Sequence, residues 1–257
     1  MRPGRNIKKL SRWTVLAALV PVLLTACAAN RDTERSPTSG PVLIEFDIRQ
    51  DVDLIRNSLF GGPPQFAIWL EDPVSHRLQT VFVTYRSAAG DWVGKLECPA
   101  ALPRWFEVFK EETGSSGLPS FDNPAPDAVT GATPRIERFT TSVEVEPNSR
   151  WICWIEMNLA GDFNEAYQHH NAEEKTIDVH FSGQPSLIYR GEIKATPGER
   201  IVPELYSQAV VDAPNGETVQ PVSDGVTTAR NVFKSIEIRV LGAGAGQDST
   251  GRREKGV

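Results

Sequence analysis

Four histidines occur in this 257-residue chain, and none has a metal-binding spacing such as His-Glu-x-x-His. No serine or cysteine stands in a nucleophile motif, and no glycine-rich loop precedes a helical pattern where it would cradle a phosphate. No internal repeat is present, and no alternation of strands with long helices suggests a nucleotide-binding α/β sheet. Long hydrophobic runs are missing too. The apolar stretch from Trp13 to Leu24 has twelve residues, whereas a bilayer-spanning helix needs about twenty.

What precedes and follows that stretch gives it a meaning. Arg2, Arg5, Lys8, Lys9 and Arg12 form a basic segment without an acid, and the apolar run ends in Leu24-Thr25-Ala26-Cys27. Basic segment, short apolar segment and small residues at a cleavage point are the order of a secretory signal. The final four residues resemble the bacterial lipobox, whose thiol is lipidated before cleavage. This resemblance implies that residues 1–26 are removed and that Cys27 carries a lipid as the first mature residue. Ala28, rather than Asp, follows it, which in a double-membraned bacterium points to the outer membrane.

Removing the five basic residues of the signal from the chain's 27 Lys and Arg leaves 22 against 33 Asp and Glu, a formal net charge of −11. Such a balance repels phosphate backbones and excludes an electrostatic footprint for nucleic acid. It suits an extracytoplasmic domain facing the periplasm. After lipidation only Cys98 and Cys153 remain, in a compartment where disulfides persist. They are either a bridge, which the compartment favours, or two separately buried thiols.

Residues 27–40 after the signal are polar and aperiodic, as expected of a flexible tether, and residues 242–257 read as a flexible tail. Between them, 41–241 reads as one β-rich domain. Val42, Ile44, Phe46 and Ile48 alternate with Leu43, Glu45, Asp47 and Arg49. Phe66, Ile68 and Leu70 start a second strand, and Val81, Val83 and Tyr85 a third. Phe139 to Val145 alternates with polar residues, and Trp151, Cys153, Ile155, Met157 and Leu159 make an apolar face. Leu187, Tyr189 and Ile193, then Val232, Ile236, Ile238 and Val240, suggest two more strands. This predicts an all-β, antiparallel β-sandwich, immunoglobulin-like in general architecture, with Phe46, Ile68, Val83, Val143, Ile155 and Ile238 in its core. One short helix is predicted from Pro103, with Leu102, Trp105 or Phe106, and Phe109 on its apolar face. From Thr113 to Pro134 breakers dominate and no core pattern occurs, so a long functional loop is expected there.

Within that loop stands Asp127-Ala128-Val129-Thr130-Gly131-Ala132-Thr133. It resembles the flavinylation motif Asp-x-x-Ser/Thr-Gly-Ala-Thr of bacterial FMN-carrying proteins, including subunits of the sodium-translocating NADH:quinone reductase. In those, a periplasmic flavin transferase links FMN through its phosphate to the last threonine. The resemblance implies Thr133 as acceptor, with Asp127, Thr130, Gly131 and Ala132 as recognition elements. A threonine hydroxyl is a weak nucleophile and needs an external site to activate it, while Gly131 and Ala132 leave the approach uncrowded. Known carriers commonly have Ser or Thr next, where this chain has Pro134. A Gly-containing turn is the ordinary structural alternative.

A wider resemblance covers nearly the whole mature domain. Pro64 to Pro73, Thr80 to Thr84, Leu102-Pro103-Arg104-Trp105, Asp127 to Pro134 and Ser182 to Tyr189 together look like the predicted periplasmic proteins of domain-of-unknown-function family 2271. Its members are associated with flavin transferases and membrane proteins. Two functions are therefore expected. One is an extracytoplasmic lipoprotein that carries electrons on covalent FMN, partnered by a flavin transferase and a membrane redox protein, rather than a stand-alone enzyme. The other is a non-catalytic binding or scaffold lipoprotein without a cofactor.

Smaller candidates are Gly161-Asp162-Phe163-Asn164-Glu165 with His169 and His170, as a cation site or a polar loop. His180 falls opposite Ile177, Val179 and Phe181 in a strand-like alternation that predicts an exposed imidazole. Trp69, Trp92, Trp105, Trp151 and Trp154 are either core or a flavin platform.

Overall fold

The structure is a computed structural model that describes residues 40–89, 98–120, 122–123, 129–131, 136–211 and 219–242. The predicted signal with Cys27, the predicted tether up to residue 39 and the predicted tail from residue 243 lie outside these.

Two sheets pack face to face. The first has the order β5 (Arg138–Val145), β1 (Val42–Gln50), β11 (Phe233–Leu241) and β8 (Arg200–Ile201). The second runs β10 (Val219–Gln220), β9 (Glu204–Ala209), β7 (Ser186–Lys194), β6 (Arg150–Asn158), β2 (Gln65–Glu71), β3 (Leu78–Thr84) and β4 (Val129–Gly131). Every pairing is antiparallel except β3 with β4, which is parallel. The predicted β-sandwich is thus present, with a parallel strand added at one edge.

Strand β1 follows its sequence pattern directly. Val42, Ile44, Phe46 and Ile48 are buried between the sheets, and the intervening residues face outward. On that outer face Arg138 grips Asp47 through Nε and Nη2 at 2.9 and 2.6 Å, and Arg239 Nε donates to Glu45 at 2.7 Å. Phe66 centres the inter-sheet core, with ring centroids of Phe82, Phe139 and Phe233 at 5.0, 5.2 and 5.6 Å. Of the predicted core residues Phe46, Ile68, Val83, Ile155 and Ile238 are buried. Val143 is only half-buried, because β5 is the edge strand of its sheet.

The third strand departs from its expected alternation. A bulge places Ile68 opposite Phe82 and Trp69 opposite Thr80, so Val81 is the extra residue. Val81 and Phe82 consequently both face the inter-sheet core, and Val83 faces the other side. Tyr85, expected in the strand, instead begins the helix α2 (Tyr85–Ala89).

The side Val83 faces is the second departure from a plain sandwich. Three helices, α2, α3 (Cys98–Ala101) and α4 (Pro103–Thr113), lie on the outer face of the seven-stranded sheet. The predicted helix at Pro103 is α4, and it buries Trp105, Val108 and Phe109 against Ala67, Trp69 and Val83. Burying these aromatic side chains on both faces of β2 makes this strand the centre of a three-layer core. A fourth helix, α1 (Val52–Asn57), follows β1 and is capped by Asp51, whose carboxylate accepts from the Leu54 amide at 2.9 Å.

The register defines two ends of the sandwich. Gln50 pairs with Phe233, and Gln65 pairs with Asn158, while the Phe66 and Phe233 rings meet across the sheets. These residues share one end. Val42, Val145 and Leu241 lie at the other.

Candidate functional site

The described part of the flavinylation-like motif is β4. Val129, Thr130 and Gly131 pair with Phe82, Val83 and Thr84 at the terminal edge of the sheet. The expected long loop is therefore interrupted by a strand. β-branched Val129 and Thr130 suit the open edge of β3, which would otherwise leave its backbone groups unpaired. Asp127, Ala132 and Thr133 lie outside the described residues.

Next to β4, the Thr84 hydroxyl donates to Gln65 Oε1 at 2.8 Å, and Ser87 Oγ donates to the same oxygen at 3.1 Å. This trio opens a row of buried polar groups along the outer face of the sheet that continues through Asn158, Glu156, Ser186 and Ser207. Glu156 is its centre. The carboxylate is fully buried on β6 and accepts from the amides of Arg104 at 3.2 Å and Trp105 at 2.6 Å. It also accepts from Ser186 Oγ at 2.6 Å.

The chemistry of α4 explains why a carboxylate sits there. Leu102 occupies the N-cap position without a capping side chain, and Pro103 follows with no amide hydrogen. The next two amides are orphans, and Glu156 satisfies both from a neighbouring strand. Burial pushes its carboxyl up to about 7, against the lowering effect of the hydrogen bonds from Ser186, Trp105 and Arg104. Sequence reasoning missed Glu156 because it alternates with the apolar face of β6 and so resembles a wet-face residue. The available signal was the start of α4, a helix with proline first and no local cap.

Ser186 also lines a surface cavity of about 410 Å³, shared with Ala100, Tyr167, Val179, Gly183 and Val210. Two buried atoms near this polar row, Asn158 Oδ1 and Ser207 Oγ, have no hydrogen-bond partner among the described residues. The Asn158 amide nitrogen is used, donating to the carbonyls of Gln184 at 3.0 Å and Ser182 at 3.3 Å.

The Gly161 to Glu165 segment forms a bracket. Asp162 accepts from Gln184 Nε2 at 2.8 Å and from Thr228 Oγ1 at 2.6 Å, and burial raises its carboxyl above the usual range. Asn164 spends its amide on the Gly225 carbonyl at 2.9 Å and Thr227 Oγ1 at 3.0 Å. The His169 and His170 rings lie 3.9 Å apart, with His169 packed on Phe181 at 4.1 Å. Among the described residues no group of three or more His, Cys, Asp or Glu is placed to hold a metal.

The strand-like alternation around His180 is a loop in the structure. Phe181 has a positive φ of 57°, and Asp178 turns the chain by accepting from the amides of His180 at 3.0 Å and Gly183 at 2.8 Å. Ile177, Val179 and Phe181 are themselves exposed, whereas His180 is half-buried.

Of the two alternatives for the cysteines, the structure bears on Cys153. Cys153 is a free thiol, buried in the inter-sheet core. Cys98 belongs to α3, whose layer packs on the opposite face of the sheet that carries Cys153. Of the tryptophans, Trp69, Trp105 and Trp151 are core. Trp154 is half-buried, stacked on Trp69 at 6.2 Å and 12°, with Arg190 over its other side at 5.5 Å. Trp92 lies outside the described residues.

In comparisons with known proteins, no family model, no curated protein and no solved structure matched the chain.

Proposed function

We propose that the chain is an extracytoplasmic lipoprotein, anchored through Cys27, that carries electrons on FMN attached covalently to Thr133. One observation carries this: the seven-residue run from Asp127 to Thr133 matches a flavinylation motif, and its Val129–Gly131 portion is the terminal strand of a sheet. An edge strand is reachable by a modifying enzyme without unfolding the domain. The donor set fits the group, since Thr133 supplies the only atom the phosphoester needs and Gly131 and Ala132 add no bulk. Bound there, the flavin would supply the redox chemistry, and a covalent link would prevent its loss by dilution outside the cytoplasm.

The test is mass spectrometry of the peptide holding residues 127–135, from cells with an active flavin transferase. A flavin phosphoester on Thr133 is expected, abolished by Thr133→Ala and reduced by Thr130→Ala. An unmodified Thr133 in wild-type protein would remove the electron-carrier role. The second reading, a binding or scaffold lipoprotein without cofactor, would then stand, favoured by the exposed apolar loop at Ile177 to Phe181.

A further inference from the structure

Two loops meet at one end of the sandwich and expose apolar side chains there. Leu59 and Phe60, between α1 and β2, are 64% and 56% exposed. Ile177, Val179 and Phe181, between β6 and β7, are 57%, 68% and 41% exposed. The loops are in contact: the Phe60 and Phe181 rings lie 6.2 Å apart. Gly161 allows it, since a Cβ there would come within 2.6 Å of the Phe60 ring and 3.2 Å of Leu59.

Hydrogen bonds tie the longer of the two loops in place. Asp178 ties the turn, Asp162 pairs with Gly183 and binds Gln184 and Thr228, and His170 pairs with Thr176. A tied loop loses little further freedom when a partner covers it, which favours recognition. A clustered apolar surface of this kind marks an interaction site.

The charge and position of the patch select its occupant. Its longer loop carries Asp162, Glu165, Glu173, Glu174 and Asp178 against Lys175, which is already paired with Glu173 at 2.6 Å. A second copy of the chain, or an anionic bilayer, would bring like charges together. The patch also lies at the end of β1 opposite Val42, where the chain enters the domain, and nine residues of strand separate them by about 30 Å. A lipid on Cys27 therefore tethers the domain by its other end.

We propose that Leu59, Phe60, Ile177, Val179 and Phe181 form a docking surface for a second extracytoplasmic protein, one that presents an apolar face rimmed by Lys and Arg. The orientation rests on the lipid anchor proposed above, whereas the surface does not depend on the flavin.

Site-specific photo-crosslinking in intact cells tests this, with a benzophenone amino acid placed at Leu59 or Val179 of the full chain. Val74, 87% exposed in the β2–β3 turn at the opposite end, is the control. The expected result is one protein adduct at both patch positions and none at Val74. That protein, purified and identified, should bind the full chain about tenfold or more weakly after Val179→Asp, after Glu173→Lys with Glu174→Lys, or in high salt. Adducts only to lipid or to a second copy, equal adducts at Val74, or an affinity that none of these changes moves would overturn the proposal. Membrane fractionation of the same cells reports the anchor separately, so its failure is not mistaken for failure of the surface.

Discussion

The Trp105 amide donates to the Glu156 carboxylate at 2.6 Å, joining the helical layer to the middle of the seven-stranded sheet. The contact caps α4, and it places a carboxyl with a raised protonation point, about 7, inside the protein.

Because the folded state holds a proton that the unfolded chain releases above 4.5, the contribution of Glu156 to stability is fully present at low pH. It is lost as pH rises from 4.5 to about 7. The loss is on the order of 3 kcal/mol across that window. Glu156→Gln should flatten this slope, and denaturant unfolding at pH 5, 6 and 7.5 measures it. Identical slopes in both proteins would show that the carboxyl titrates normally.

Glu156→Ala should cost about 2 to 4 kcal/mol, since two helix amides and the Ser186 hydroxyl lose a buried acceptor together. A loss under about 0.5 kcal/mol, within the range of ordinary surface substitutions, would mean that another group caps α4.

Gly183 has φ +72°, and a Cβ there would sit 2.5 Å from the Asp162 amide nitrogen. Gly183→Ala should therefore destabilise the fold by about 2 kcal/mol and open the 160–185 loop to limited proteolysis. An unchanged digestion pattern would show that the loop does not depend on the bracket at Asp162.

Cys153 should resist alkylation until the protein unfolds, because burial hides the thiol and disfavours its thiolate. Mass spectrometry of its peptide before and after denaturation reads this out. A non-reduced digest linking Cys98 to Cys153 would contradict the free thiol.

Cys27→Ser should leave unprocessed or released protein in place of the membrane-bound form. Normal processing together with normal membrane fractionation would refute the lipid anchor.

The sequence made β1 legible to the residue, because one of its faces is dry and the other wet and the period of two is unbroken. The same reasoning failed at β3, where the bulge at Val81 turns Val83 to the helical side, an event set by pairing with β2. It failed again at Ile177 to Phe181, where alternating apolar residues imitate a strand, and Asp178 and a positive φ at Phe181 make a turn. The role of Glu156 depends on donors in α4 and β7 that are distant in sequence, so no local pattern announces it. Thr133, by contrast, is singled out by a motif alone, and it lies outside the described residues.

The parallel pairing of β4 with β3 has a topological consequence. A hairpin cannot join parallel neighbours, so the chain must leave the sheet after Thr84 and come back to Val129 by a crossover. The helices α2, α3 and α4 lie between those two strands in the chain. The helical cover over Trp69 and the strand bearing Thr130 are therefore one inserted module in an otherwise antiparallel sandwich. Excising it would strip the aromatic face bare and delete the motif in the same stroke.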